Sequence, residues 1–163
     1  MKKNLVGALA LIMPAAAIAA PGDTDTATGT ATATVVAPIE LTHDGGALGF
    51  GSFLAGSGGT VVVTSAGAGS VTGDVEFVSG SANTADGFTV AGDANRSFSI
   101  SATGGTVSNG TDTMSFTTSV SAGSDTLDTN GDGSFTVGGT LTVAADQAPG
   151  DYTGTYDATV AYN

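Results

Sequence analysis

The sequence contains no cysteine, no tryptophan and a single histidine, and only three of its 163 residues are lysine or arginine. The lack of cysteine excludes thiol catalysis and thiolate metal sites. The lack of clustered basic residues argues against partners that present phosphate, namely nucleic acids and anionic membrane surfaces. With 15 acidic residues, the formal net charge is −12. Copies of the chain therefore repel one another at low salt.

The N-terminus has the pattern of a secretory signal peptide. Lys2 and Lys3 precede a short apolar stretch, and Ala17 and Ala19 fit the small-x-small cleavage rule. The apolar stretch is too short to span a bilayer, and no second one follows it. We therefore expect a signal peptide at 1–19 and a protein that is exported without membrane insertion.

The remaining residues have the composition of short β-strands joined by turns. Gly accounts for 26 residues, and long helix-favouring side chains are nearly absent. Short runs in which Thr, Val and Phe alternate are separated by Gly, Asn and Asp, a pattern typical of strands and turns. The predicted strands are 30–36, 39–41, 48–53, 60–64, 70–78, 87–91, 97–102, 113–121, 134–137, 140–144 and 152–163.

The spacing of these runs predicts an all-β, immunoglobulin-like antiparallel β-sandwich of roughly nine or ten short strands. Gly138 and Gly139 lie between two runs and predict a two-residue hairpin turn. Gly73 and Asp74 predict a bulge within a single strand. The last run, 152–163, alternates most regularly and predicts a half-buried strand over its whole length.

Few residues are suited to catalysis, and we expect no enzyme activity. His43 is the only histidine, and its neighbour Asp44 is badly placed on the chain for a Ser-His-Asp relay. We interpret His43 as a residue of a loop near the turn that begins at Asp44. Arg96 is interpreted as a strand-edge residue that pairs with a nearby Asp.

One segment resembles part of a calcium-binding loop. Asp128, Asn130 and Asp132 occupy alternate positions and are followed by Gly133, so oxygen ligands are spaced as in the first half of such a loop. Gly139 stands where the loop's bidentate carboxylate belongs, which excludes an EF-hand. A weak surface calcium site assisted by Asp125 is one interpretation, and a hairpin loop without metal is the other. No other cofactor is expected.

Residues 27–163 resemble a family of small secreted bacterial proteins with an uncharacterised domain. The resemblance rests on ATATVVAPIELT, LGFGSF and GGTVVVT, and most specifically on the closing GGTLTVAADQAPGDYTGTYDATVAYN. The chain is also similar to the subunits of chaperone–usher fimbriae. In those pilin-like subunits an early strand, here VVAPIEL, leads to an LGFGSF-like strand, and the chain ends in alternating residues with a penultimate aromatic, here Tyr162.

The fimbrial resemblance implies a structural subunit that donates an N-terminal strand to the incomplete sandwich of the next copy. It implies a donor extension at 20–34, a sandwich domain at 35–163, and a C-terminal strand that borders the acceptor groove. The partners would be copies of the chain, with a periplasmic chaperone and an outer-membrane usher, and the destination would be the cell surface. The candidate assembly residues are Ala27, Ala31, Ala33, Val35, Tyr152, Tyr156, Ala158, Val160 and Tyr162.

The alternative is a secreted sandwich that is complete by itself. Residues 30–36 would then be its first strand, and the protein would bind a glycan, calcium or a host surface. The two hypotheses differ at the C-terminal strand, beside which a filament subunit leaves an open groove. The donor face offers mainly methyl-sized side chains, which bury little apolar area at about 25 cal/mol per Å².

Overall fold

The computed structural model describes Gly22 and residues 24–163, so the signal peptide predicted at 1–19 lies outside the described residues. Residues 35–163 form one compact unit. Within the described residues, no helix meets the length and apolarity that crossing a membrane requires. The strands are β1 (Glu40–His43), β2 (Phe53–Leu54), β3 (Gly59–Val63), β4 (Gly69–Gly73), β5 (Glu76–Phe77), β6 (Asp86–Ala91), β7 (Ser97–Ala102), β8 (Gly105–Ser108), β9 (Thr113–Val120), β10 (Ser124–Thr126), β11 (Asp132–Val143) and β12 (Ala158–Tyr162).

These strands form an antiparallel β-sandwich, which confirms the predicted fold class. The large sheet has the order β1-β6-β11-β3-β4, with β9 paired to β11 and β8 paired to β9. The small sheet has the order β10-β7-β12, and β2 and β5 form a two-stranded ribbon. Every pairing is antiparallel.

Two apolar clusters form the core. The first joins Phe98 and Ile100 of the small sheet to Phe88 and Val137 of the large sheet. The second packs Leu141 and other large-sheet residues against the ribbon. Tyr156, from the segment before β12, contacts both clusters. Alternate residues of β6, β7 and β9 are buried, as a period of two predicts for strands with one face toward the core.

Strand β11 shows that the predicted hairpin turn at Gly138 and Gly139 is wrong, because the strand continues through both glycines. Its first half pairs with β6, its second half with β3, and β9 pairs across the middle. A Cβ on Gly138 would meet the carbonyl oxygen of Val63, and one on Gly139 would lie 2.6 Å from that of Thr117. The two glycines therefore permit close approach of neighbouring backbone rather than a turn.

The predicted strands at the two ends of the domain are also wrong in extent. Residues 30–36 form no strand, because alternation of small side chains with Thr offers little area to offset the cost of ordering the backbone. Of the run 152–163, only β12 is a strand, and Thr153 makes an isolated bridge with Ser108. A Cβ on Gly154 would meet the carbonyl oxygen of Thr106, so the chain lies directly against the backbone of β8 here.

Three smaller differences involve glycine-rich or polar segments. The predicted strand 48–53 is reduced to a bridge at Gly49 and the start of β2. The predicted strand 70–78 is divided between β4 and β5, which belong to different sheets, because Gly73 adopts a φ of 70°. Strands β8 and β10 were not predicted, since β8 has one large apolar residue and β10 has none.

Candidate functional site

Strand β12 is an edge strand whose outer side has no partner among the described residues. The Thr103 N–H donates to the Asp157 carbonyl oxygen at 2.9 Å, and the Asn163 N–H donates to that of Ser97 at 3.1 Å. Antiparallel strands bond through alternate residues. Thr159 and Ala161 therefore also direct their backbone N–H and C=O groups toward β7. The same groups of Ala158, Val160 and Tyr162 point away from β7.

The side chains of those outward-bonding residues face the core but are only partly buried. Ala158, Val160 and Tyr162 pack against the first apolar cluster. On the opposite sheet, Ile39 and Leu41 from the β1 edge pack against the same cluster and are also partly buried. The side of the sandwich between the edges of β12 and β1 is thus where this cluster is least covered.

Tyr162 ties the end of β12 to neighbouring chain segments. Its hydroxyl accepts a hydrogen bond from the Asp93 N–H at 2.6 Å and donates to the Ala37 carbonyl oxygen at 3.1 Å. The guanidinium of Arg96 lies 4.5 Å from the centre of the Tyr162 ring, and its nearest carboxylate is that of Asp93 at 3.8 Å. Arg96 therefore does lie near an Asp, as expected, while its closest packing partner is the aromatic ring.

Tyr156 reaches the large sheet through a buried carboxylate. Its hydroxyl donates to Asp86 Oδ2 at 2.7 Å, and Asp86 is only 4% exposed. The other oxygen of Asp86 lies 2.7 Å from His43 Nε2 and accepts from the Gly87 N–H at 3.0 Å. Burial, and then the hydrogen bond to Asp86, raises the pKa of the Tyr156 phenol.

The position of His43 differs from the interpretation of the sequence. His43 is the last residue of β1 rather than a loop residue, and its partner is Asp86 rather than the adjacent Asp44. Asp44 instead accepts a hydrogen bond from the Thr89 hydroxyl at 2.8 Å. Sequence reasoning missed Asp86 because nothing in the sequence marks it as the carboxylate on which two strands and Tyr156 converge.

Two cavities open beside the segment that leads into β12. The first has a volume of about 450 Å³ and is lined by His43, Asp86, Phe88, Phe116 and Tyr156, among other residues. The second has a volume of about 620 Å³ and lies between the segments 47–55 and 147–154. They share Leu48, Phe50 and Val107 in their linings, so they are adjacent. The two cavities are together called the C-terminal groove below.

Of the remaining predicted assembly residues, only Tyr152 lines the C-terminal groove. Ala27, Ala31 and Ala33 belong to the segment 24–34, which is exposed and contains no strand. Val35 begins the compact unit and is 97% exposed. Tyr152 lines the larger cavity, and its hydroxyl donates to the Ala148 carbonyl oxygen at 2.8 Å.

The predicted calcium residues form a hydrogen-bonded loop. Asp128 accepts from the N–H groups of Asn130 and Asp132 at 2.7 and 2.9 Å. These bonds, that from Asp132 first, lower the pKa of the Asp128 carboxyl. Asp125 lies on β10, and the described residues contain no group of three or more His, Cys, Asp or Glu side chains arranged to hold a metal ion. Calcium binding stays a prediction.

The fold and the groove define an antiparallel β-sandwich with one unpartnered C-terminal edge. Residues 39–162 match the family described as Domain of unknown function (DUF4402), and the chain belongs to that family. The match begins just before β1 and ends at the penultimate residue, so it includes every strand described above. No curated protein and no solved structure matches the chain.

Proposed function

We propose that this protein is an exported, non-catalytic structural subunit of a surface filament, in which the segment 20–34 of one copy adds a strand to the β12 edge of the next. The observation that carries the proposal is the combination, among the described residues, of an edge strand without an outer partner and a segment, 24–34, that is exposed and forms no strand. The edge offers backbone donors and acceptors, and the segment can pair with them in an extended conformation.

The β12 edge is better suited to accept a strand than the edges formed by β10 and β4. All three residues of β10 are exposed and polar, and β4 has one partly buried residue between exposed ones. Such polar edges discourage pairing with another chain. In β12, by contrast, three core-facing residues are partly buried and would gain contacts from a further strand.

The C-terminal groove supports the same interpretation. It lies beside the chain that leads into β12, so a strand added to β12 and continued backward would lie over both cavities. The fimbrial resemblance adds two partners to the proposal: a periplasmic chaperone that holds β12 until assembly, and an outer-membrane usher. Delivery to the cell surface depends on the signal peptide.

Gel electrophoresis of protein recovered from the cell surface tests the proposal. Unboiled samples of the full-length protein should give a ladder that collapses on boiling, because strand-donated polymers are held by backbone pairing and packing. Deletion of 20–34 should leave only the monomer. A single monomer band in every lane, from the intact protein as well as the deletion, would contradict strand donation.

A pair of proline variants locates the accepting edge. Ala158→Pro removes an N–H that points away from β7, so it should block polymerisation while leaving the internal ladder intact. Ser124→Pro is the matched control, since its N–H points outward from β10 at the opposite edge of the same sheet. Polymers that survive Ala158→Pro but are lost with Ser124→Pro would place the contact at β10 instead.

A second candidate function is a self-complete module that binds a glycan. The smaller cavity supports it, because 450 Å³ lies within the range of about 300–1,000 Å³ for small-ligand sites. The rings of Phe116 and Tyr156 line this cavity together with the polar groups of His43 and Asp86. A protein that runs as a monomer and whose oligosaccharide binding is lost in Phe116→Ala would favour this function over the filament.

A further inference from the structure

The edge formed by β12 and the chain that leads into it, residues 152–162, differs in chemistry at its two ends. At the Tyr162 end lies Arg96, the only lysine or arginine after residue 3. Its side chain is 36% exposed, and within residues 24–163 its guanidinium donates no hydrogen bond. The carboxylate of Asp93, at 3.8 Å, is beyond hydrogen-bond distance. The guanidinium therefore retains donors for a carboxylate from outside the subunit.

The Tyr152 end is spacious and, among the described residues, contains no cation. The 620 Å³ cavity there is lined by Phe53, Met114 and Leu141 beside Tyr152, with Asp151 among its polar residues. The polar group of Tyr152 is already satisfied, because its hydroxyl bonds to Ala148 and to the Gln147 side chain. This end of the groove therefore accepts apolar side chains and disfavours an acidic one.

The chain 24–36, which comprises the segment before the domain and the first two residues of the domain, has the complementary order of residues. Asp25 lies near its start, and Val35 and Val36 lie at its end, where Val35 is 97% exposed and Val36 40%. The positions between them that share one face are all small: Ala27, Gly29, Ala31 and Ala33. The acidic start matches Arg96 at the Tyr162 end of the edge, and the apolar end matches the large cavity at the Tyr152 end. The small residues lie between them.

We propose that Arg96 and the larger cavity set the direction and register of the donated strand, an inference that rests on the proposed function. The strand lies antiparallel to β12, with Asp25 of one copy opposite Tyr162 and beside Arg96 of the next. A donated strand that continues past β12 along the segment 152–157 brings Val35 level with Tyr152 at the 620 Å³ cavity, because 25–35 and 152–162 contain equal numbers of residues.

The register also places the small middle of the donated strand. Ala27, Gly29 and Ala31 fall opposite Val160, Ala158 and Tyr156. The side chain of Tyr156 crosses to the large sheet, since its hydroxyl bonds to Asp86 and its ring packs against both core clusters. The donor methyl groups therefore lie beside a ring that already covers the core at this point.

Disulfide trapping between two co-expressed single-cysteine variants tests the register, and the absence of native cysteine keeps the background clean. In the proposed register Thr26 faces Ala161 in a non-hydrogen-bonded pair, the closer type, and both side chains are exposed. Thr26→Cys with Ala161→Cys should give a dimer that survives boiling without reductant, identified by mass spectrometry of the linked peptides. Thr34→Cys with Ala161→Cys is the matched control from the other end of the same exposed face, and each variant alone is the second control.

The outcomes separate this inference from the proposed function. A 26–161 link supports the register, and a 34–161 link overturns it while strand donation stands. Boil-sensitive polymers with neither link also overturn the register. If the parent protein forms no polymers at all, the proposed function itself fails.

A charge exchange tests Arg96 separately. Asp25→Lys and Arg96→Glu should each speed depolymerisation about threefold, the size expected for a partly exposed ion pair, and the double variant should restore the original rate. Equal and additive losses, without rescue in the double variant, would overturn the pairing of Asp25 with Arg96.

Discussion

Strands β11 and β12 have similar alternating sequences but very different surroundings. Strand β11 has partners along both sides, and its Phe135, Val137 and Leu141 are no more than 3% exposed. Strand β12 pairs with β7 alone, and its core-facing residues are all partly exposed. Alternation therefore reports which face of a strand is apolar, but it does not report how many neighbours the strand has.

Strand β12 therefore has the apolar residues of a central strand but only one neighbouring strand. Edges of soluble proteins are normally protected by charge, proline or short length. Here β4 and β10 follow that rule with exposed polar residues, while β12 carries Val160 and Tyr162 at an open edge. In the proposed function, this edge is the one that the donated strand of another copy covers.

The largest effect should come from breaking the centre of β11. Gly138→Ala places a Cβ too close to the backbone of Val63, Thr64 and Ser65, so the backbone of neighbouring strands must shift. We expect a loss of more than about 3 kcal/mol in the free energy of unfolding, measured by urea denaturation of the monomer. Gly123→Ala is the control, because a Cβ there meets no atom within 4 Å. Equal stability of the two variants would contradict the close approach at Gly138.

The same substitution on the two strands compares them directly. Val137→Ala, at 0% exposure in β11, should cost about 2–3 kcal/mol, and Val160→Ala, partly exposed in β12, should cost about 1 kcal/mol. In the polymer, the costs of the two substitutions should be closer to each other, since a donated strand covers Val160; thermal melting measures this. A difference of the same size in monomer and polymer would show that β12 stays uncovered.

Much of the fold was predictable because most strands have large apolar residues at alternate positions. Runs such as Phe88 with Val90, and Phe98 with Ile100, identify a strand and its buried face together. The hairpin at Gly138 was predicted wrongly because glycine serves both tight turns and close backbone contacts, and only the neighbouring strands decide between them. The strand at 30–36 was predicted wrongly for a different reason. Its residues alternate, but most of its side chains are small and bury little apolar area.

The candidate site was predictable only in part. The face formed by Tyr156, Val160 and Tyr162 follows from alternation, and the structure places it at an open edge. The contact of Tyr156 with Asp86 depends on a separation of 70 residues, which no local pattern encodes. The same holds for Arg96 and Tyr162, which come together because β7 and β12 are neighbours.

Removing the buried carboxylate should loosen the chain that leads into β12. Asp86→Ala leaves the Tyr156 hydroxyl and the Gly87 N–H without their acceptor, and we expect a loss of about 2 kcal/mol in the free energy of unfolding. Asp44→Ala removes a carboxylate whose hydrogen bond to Thr89 is exposed, and it should cost less than about 0.5 kcal/mol. If the Asp86 and Asp44 variants lose equal stability, the bond to Tyr156 contributes nothing.

The smallest effect concerns the pH dependence of the same contact. Burial, and then the hydrogen bond to Asp86, raises the folded-state pKa of Tyr156 above the ordinary tyrosine value of about 10. Above that pH the unfolded chain releases the phenol proton while the folded chain retains it, so stability that is complete below pH 10 declines as the pH rises. Because Tyr156 is partly exposed, we expect a slope well below the limit of about 1.4 kcal/mol per pH unit. Melting temperatures between pH 8 and 11 should fall more steeply for the parent protein than for Tyr156→Phe, which has no phenol proton to lose. Parallel slopes would mean that Tyr156 ionises as readily in the folded edge as in the unfolded chain, and the buried bond that links this segment to the large sheet would then be absent in solution.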